Sequence, residues 1–391
     1  MEIGTGLATI RRMRERSERL QGMLVKQAFL PNEKKAETRR WPISEAAAMV
    51  GRSRQAITDA EASSRLPPPA LDAKNRRSGY TLAEINRMRK LFGTRPWRED
   101  SEEPIVLAIS NFKGGVAKTT VAIHLSQYLA MRGYRTLLID MDPQASATTM
   151  FGYIPDADIK ENDTILPYFR GEAQALKYAV RKTYWDGLDL IPSCLRTFDA
   201  EYEIMGGFKA EQLELLRDGI QTISHDYDVI VIDSPPALGM LSLNVLLAAN
   251  ALLIPVPPAM FDFYSTVSYL RMLEETLTLI EKRLGPVQYK FIRMLISRLD
   301  DQKVAHREMV EIMESTYEKL LLTAKLKDSA EINNAGVRLY TVYELDKAER
   351  SKGSRDRALK LLDTVFNEVE DLIRACWPSR SADLKARGLI T

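Results

Sequence analysis

The stretch Asn111-Phe112-Lys113-Gly114-Gly115-Val116-Ala117-Lys118-Thr119-Thr120 constrains this chain more than any other. It follows an apolar run, Ile105 to Ser110, and opens a helix predicted over about Lys118 to Arg132, which is the setting of a phosphate-binding loop. Gly114 and Gly115 let backbone N–H groups crowd around phosphate oxygens. Lys118 supplies a point charge for the terminal phosphates, and the Thr119 hydroxyl suits Mg²⁺. Val116, Ala117 and Thr120 complete the predicted cradle. The usual spacing, G-x-x-x-x-G-K-[ST], is not met, because Phe112 stands at its first glycine and Ala117 at its second.

The surroundings suit the loop. Short apolar runs recur at Thr136 to Asp140, Val229 to Asp233, Ala251 to Pro255 and Phe291 to Ser297, separated by helical patterns. Runs of this continuous kind belong to parallel strands covered on both faces, so the spacing predicts an α/β, mostly parallel, doubly wound domain over 105–391. Two of the runs end in carboxylates: Leu138-Ile139-Asp140-Met141-Asp142-Pro143 and Ile232-Asp233-Ser234-Pro235. A carboxylate at a strand end is by itself equally a helix cap. The phosphate loop and these two segments, three in order, favour a nucleotide site.

The first hundred residues differ in charge. They carry 21 Lys/Arg and 12 Asp/Glu, a net charge of +9 within a chain whose total is +2. A local excess of this kind attracts phosphates whatever the total. An amphipathic helix is predicted from about Leu7 to Ala28, within a segment 1–36, with a solvated and a dimerising reading both open. Over 37–93, Ala47, Gly51 and Ile57 have helix-turn-helix spacing: a small residue where two helices approach, a glycine for the left-handed turn, an apolar anchor on the second helix. That second helix presents Arg52, Arg54, Gln55 and Thr58, and Arg76 and Arg77 lie in a basic turn resembling a wing tip before another helix from Thr81 to Phe92. An unrelated small helical domain is the competing reading. Residues 94–104 are expected as a linker. A late basic cluster, Lys347, Arg350, Lys352, Arg355, Arg357 and Lys360, reads either as a DNA-holding surface or as a solvated helix face.

The loop K-G-G-x-x-K-[ST] at Lys113 to Thr119 resembles the deviant Walker ATPases that include the ParA and MinD proteins, and the resemblance runs from about Ile105 to Phe366. It implies a P-loop NTPase domain that binds ATP and ADP with Mg²⁺, and a homodimer in which Lys113 reaches the partner's phosphates. Asp142 would then orient the attacking water, Asp140 would support the magnesium shell or the loop, and Asp233 would hold a magnesium-bound water. Ala117 stands where most relatives have glycine. Ile296-Ser297-Arg298 falls where relatives have an adenine-proximal loop. The N-terminal helix-turn-helix makes the chain similar to type Ia ParA proteins. That resemblance implies slow, partner-stimulated ATP hydrolysis, nonspecific DNA binding on the nucleoid, a ParB-like partner and repression at an operator.

Other classes fare worse. Hydrophobic residues make up 45% of the 391 and charged ones 28%, as in a folded protein of two or three domains. The start lacks a charged-then-apolar leader, no apolar run is long enough to span a membrane, and the tail lacks a sustained amphipathic face. Cytoplasmic residence without membrane attachment is therefore expected. Cys194 and Cys376 have no metal-ligand spacing, which argues against an electron-transfer ATPase like the nitrogenase iron protein. A nucleotide-switched transcription regulator without a segregation role remains the alternative.

Overall fold

The computed structural model describes residues 6–29, 39–201, 210–345, 352–386 and 388. Seven strands form one sheet: β1 (Ile105–Ile109), β2 (Thr136–Asp140), β3 (Arg181–Lys182), β4 (Leu188–Ile191), β5 (Val229–Asp233), β6 (Ala251–Val256) and β7 (Phe291–Ile296). Their spatial order is β3-β4-β2-β5-β1-β6-β7, and every pairing is parallel except β3 with β4. The central strands are buried throughout, as their unbroken Val, Ile and Leu runs require. Apolar clusters cover both faces of the sheet.

Register sets the functional edge. Asp233 of β5 lies level with Asp140 of β2 on one side and with Ile109 of β1 on the other. The loop leaving β1 and the two strand-end carboxylates therefore emerge side by side, at the carboxyl edge where open α/β sheets hold their ligands.

Helix α1 (Gly6–Phe29) carries Leu7, Ile10, Met13, Leu20 and Met23 exposed. Helices α2 (Ile43–Val50) and α3 (Arg54–Ala62) meet at Gly51, whose left-handed φ of 68° closes the turn while its N–H caps α2. Ser53 caps α3 by accepting from the Ala56 N–H, and Ile57 is fully buried. Helix α4 (Leu82–Phe92) opens with a capping box between Thr81 and Glu84. Between α3 and α4, where the sequence suggests a wing tip, a turn from Asp72 to Arg76 is closed by an isolated Leu71–Arg77 bridge, and Trp41 pairs with Tyr80. Gly79 has a φ of +87°, and a side chain there would strike the Trp41 carbonyl at 2.8 Å.

Residues 94–104 form no helix or strand, yet they are tied down. Trp97 donates its indole N–H to Gly133 O at 2.9 Å, and the guanidinium groups of Arg95 and Arg135 lie 4.1 and 4.4 Å from its ring centroid. Arg98, 7% exposed, donates to the carbonyls of Tyr227 and Ser224. The N-terminal and sheet-side apolar residues accordingly share one continuous cluster.

The phosphate-loop helix α5 is Lys118–Arg132. Chain order then gives α6 (Ser146–Met150), α7 (Leu166–Phe169), α8 (Leu215–Gln221), α9 (Met240–Ala248), α10 (Met260–Leu284), α11 (Val304–Tyr317), α12 (Ala330–Val337), α13 (Lys352–Ala375) and α14 (Pro378–Ala386). Strands β3 and β4 escaped the sequence reading, because Arg181–Lys182 has no apolar pattern and Leu188–Ile191 is interrupted by Asp189. No helix among the described residues is long and apolar enough to cross a membrane.

Candidate active site

The loop from Asn111 to Thr120 wraps a cleft of about 380 Å³. Gly114, Gly115, Ala117, Lys118, Thr119 and Thr120 line its floor, with Asp142 and Pro236 on one side. Hydrogen bonds of three side chains fix the loop. Asn111, 1% exposed, donates to Pro255 O and accepts from the Lys113 N–H. Ser297 donates to Val116 O at 2.9 Å, and the Arg298 guanidinium donates to Gly115 O at 2.9 Å. Phe112, the departure from the usual first glycine, packs its ring edge-on against Tyr269 of α10 at 4.7 Å, so its side chain anchors the loop from behind. Ala117, the second departure, adopts the left-handed φ of 75° that a glycine would take freely. The loop keeps its shape with strain at that residue.

Lys118 is 7% exposed and donates to Lys113 O at 2.9 Å, inside its own loop. Burial pushes its pKa down, while Asp233 and Asp142 favour the charged form. Asp233 is fully buried and neither of its carboxylate oxygens has a hydrogen bond. Burial and then the neighbouring Asp140 push its carboxyl well up; the Thr119 hydroxyl and the Lys118 ammonium oppose this. An orphaned carboxylate beside a hydroxyl and a phosphate cradle suits a hydrated divalent cation. Thr119 and Asp233 are the residues that fit magnesium. No cluster of three or more His, Cys, Asp or Glu side chains placed to hold a metal exists among the described residues.

Asp140 is differently placed. One oxygen accepts the N–H and hydroxyl of Thr148 at 2.9 and 2.7 Å, and the other accepts the Asp142 N–H at 3.1 Å. Of its two expected roles, this geometry favours holding the loop over joining the magnesium shell. Asp142 is half-buried on the cleft wall, with one oxygen accepting the Gln144 N–H.

Lys113 forms an ion pair with Asp262 in the first turn of α10 of the same chain. Arg298, in the segment expected near the adenine, lines the same cleft. Asp262 was not anticipated, nor were Leu326, Lys327, Asp328, Ser329, Ile332 and Asn333 of the cleft lining. These lie some 150 to 220 residues from the loop, and no local pattern marks them.

The expected DNA contacts are scattered. Arg54 is exposed. Arg52 donates to Phe92 O, Gln55 to Asp59 and the Thr58 hydroxyl to Arg54 O, all on the surface. Arg76 pairs with Asp72, and Arg77 with Glu61 and Tyr80. Arg355 requires a correction: it is 4% exposed and cannot present its charge to DNA, because it falls on the face of α13 that packs inward with Leu359 and Leu362. Arg357 and Lys360 are the exposed basic residues of that helix. Arg350 and Lys347 lie outside the described residues, as does the side chain of Lys352.

Comparison with known proteins gives this geometry a lineage. The family model described as an AAA domain matches residues 105–286. Protein SopA of Escherichia coli is 39% identical over 356 residues, spanning 88% of this chain and 91% of SopA. A ParA family protein of Chlamydia muridarum is 30% identical over 269 residues, 68% of this chain and 99% of its own. Among solved structures, a partition protein at 21% identity shares the fold over 94% of this chain and 98% of its own, with a TM-score of 0.66. Cobyrinic acid a,c-diamide synthase of Mycobacterium smegmatis, solved with a bound ATP analogue and magnesium, is 26% identical with a TM-score of 0.52, covering 60% of this chain and 91% of its own. The chain belongs to the ParA-type partition ATPases.

Proposed function

We propose that this chain is an ATP-dependent DNA partition ATPase whose Mg·ATP-bound form is a homodimer on DNA. The observation that carries the reading is the carboxyl edge of the sheet, where a buried lysine, a threonine hydroxyl and an orphaned carboxylate meet at one glycine loop. In this scheme Lys118 neutralises the nucleotide's terminal phosphates, and Thr119 and Asp233 hold magnesium, which offsets charge on the transferred phosphoryl group. Asp142 orients the attacking water. Asp140 keeps the Asp142 loop in place through Thr148.

Lys113 exchanges its own Asp262 for the partner subunit's phosphates when two cradles close face to face. The nucleotide then becomes part of the interface, and hydrolysis dissolves it. The domains are an N-terminal helix (1–36), a helix-turn-helix-like DNA-binding unit (37–93), a connector (94–104) and the ATPase (105–391). Arg357 and Lys360, exposed on α13, hold DNA through phosphates together with Arg350 and Lys352 of the same basic cluster, and Arg52, Arg54 and Gln55 read an operator. A ParB-like partner stimulates hydrolysis, and the ADP form leaves the nucleoid.

Lys118→Ala is expected to lower ATP turnover by about 100-fold or more, since the phosphates lose their main cation in a partly dry site. Unchanged turnover, measured with nonspecific DNA present, would sink the reading. The alternative, a nucleotide-switched regulator, needs no partner. A turnover rate indifferent to both DNA and a ParB-like protein would favour it.

A further inference from the structure

One buried cation joins the nucleotide loop to the helix pair at the N-terminus. Helix α5 starts at Lys118 in the phosphate cradle and runs for 15 residues, about 22 Å, to Gly133. At its far end Met131 O accepts from Arg89 Nη2 at 2.5 Å. The same guanidinium donates through Nε and Nη2 to Met49 O, at 3.2 and 3.1 Å. Its Nη1 donates to Asn86 Oδ1 at 2.6 Å, and Asn86 in turn donates to Asp186 beside β4. Met49 belongs to the last turn of α2, two residues before the Gly51 turn that leads into α3.

Two helix C-termini, those of α2 and α5, thus converge on Arg89, which is 2% exposed. Carbonyl ends carry partial negative charge, so the cation stabilises both while its rigid fork fixes their separation. None of its acceptors is a carboxylate: two are helix-end carbonyls and the third is the Asn86 amide oxygen. The charged groups facing it are Arg132, Arg95, Glu370 and Asp186, and burial followed by Arg132 lowers its pKa to about 10, leaving it charged at neutral pH. Gly133 is shaped to admit it: at a φ of +103°, a side chain there would meet Arg89 Cδ at 2.9 Å and Nη1 at 3.0 Å. Trp97 adds a second tie by donating to Gly133 O.

We propose that Arg89, seated against Gly133, is the positioning residue through which nucleotide occupancy at the phosphate loop sets the placement of α2 and α3. Binding negative phosphates at the start of α5 orders that helix as a unit. Its far end then presents Met131 O to Arg89 in one place, and the guanidinium passes that placement to the end of α2. The inference rests on the nucleotide-binding reading above; it adds that the N-terminal helices respond to the nucleotide.

The test is hydrogen–deuterium exchange on the full chain, alone and with Mg·ATP or Mg·ADP. Nucleotide is expected to slow exchange both at 113–120 and across Ile43 to Ala62. In Arg89→Lys, which keeps the charge but loses the fork, protection at 113–120 and ATP turnover persist while the response over Ile43 to Ala62 disappears. Gly133→Ala, which wedges the guanidinium, gives the same uncoupling, and the milder Trp97→Phe weakens the response without removing it; these two keep the test decisive if Arg89→Lys does not fold. A parent protein protected at the loop but unresponsive at Ile43 to Ala62 overturns the inference and leaves the nucleotide reading intact, as does an Arg89→Lys protein that still responds there. Absence of protection at 113–120 in the parent overturns both.

Discussion

The carboxyl edge of the sheet and the N-terminal helix pair both concentrate charge, but they hold it in opposite ways. At the edge the charges are buried and poorly satisfied: Asp233 has no hydrogen bond, and Lys118 rests on a carbonyl of its own loop. In the N-terminal unit the charges are exposed and satisfied within the chain, Arg76 by Asp72 and Arg77 by Glu61 and Tyr80. A buried unsatisfied group has been prepared for a ligand that will complete it, at a cost to the stability of the empty protein. An exposed satisfied group can swap one partner for a phosphate with little change in energy. The first arrangement suits chemistry, and the second suits binding that must be released.

Asp233→Asn tests the contrast most severely. Turnover is expected to fall by about 100-fold or more, as the proposed magnesium site loses a buried carboxylate. The empty protein should nevertheless gain about 1 kcal/mol or more at neutral pH, because an uncompensated buried charge has been removed. The sign can be checked by titration. The folded Asp233 carboxyl lies above its unfolded value, so the group favours the folded state at low pH and that stability is lost as pH rises. Thermal melts of the parent should thus show a steeper pH slope than the variant, which keeps the raised carboxyl of Asp140, and a variant less stable than the parent at neutral pH would contradict the account.

A smaller effect is expected at the Lys113–Asp262 pair. Both side chains are partly exposed, at 34% and 24%, so the ion pair itself contributes little, by about 0 to 1 kcal/mol. If Lys113 must leave Asp262 to engage a second subunit, Asp262→Asn removes a competitor. Sedimentation with Mg·ATP should then show several-fold tighter dimerisation, about fivefold for 1 kcal/mol. Lys113→Gln should abolish ATP-dependent dimerisation while nucleotide binding persists.

Among the proposed DNA contacts, Arg54 and Arg77 should separate. Arg54 is exposed on the face of α3, and Arg54→Ala is expected to reduce the logarithmic salt slope of DNA binding by about 1 without touching stability. Arg77→Ala leaves the nearly buried Glu61 carboxylate with only the Tyr80 hydroxyl, and should lower stability by about 1 kcal/mol. Equal salt slopes and equal melting temperatures for the two variants would remove the distinction.

The same contrast explains what the sequence could disclose. Chemistry at the edge needs fixed residue types at fixed spacing, so Lys113 to Thr120 and the strand-end Asp140 and Asp233 stand out, and the strands carrying them are unbroken apolar runs. The lining residues Leu326 to Ser329, Ile332 and Asn333 reach the cleft only through tertiary folding and have no pattern of their own. Asp262 is likewise an ordinary first-turn carboxylate until β1 and α10 are brought together. Arg355 misled because a cluster of cations does not state which face of a helix each occupies. Its inward position follows from the 3.6-residue period, with Leu359 one turn later and Leu362 two turns later. Arg89 gave no signal, since a basic residue late in an amphipathic helix normally reads as solvated.

The smallest predicted effect concerns Ala117, where the edge carries backbone strain as well as buried charge. A non-glycine residue at a φ of 75° costs roughly 1 kcal/mol, whereas glycine adopts that conformation freely. Glycine also gains more entropy in the unfolded chain, which offsets part of the relief. Ala117→Gly should therefore change unfolding stability by less than about 1 kcal/mol, with nucleotide affinity equal or slightly higher because the Lys118 N–H and its neighbours turn toward phosphate without resistance. Ala117→Val, whose branched side chain fits the left-handed region far worse, should lower both. A marked loss of affinity in the glycine variant would mean that the alanine itself holds the cradle in shape, and that the edge is organised by its side chains where the fold alone was thought sufficient.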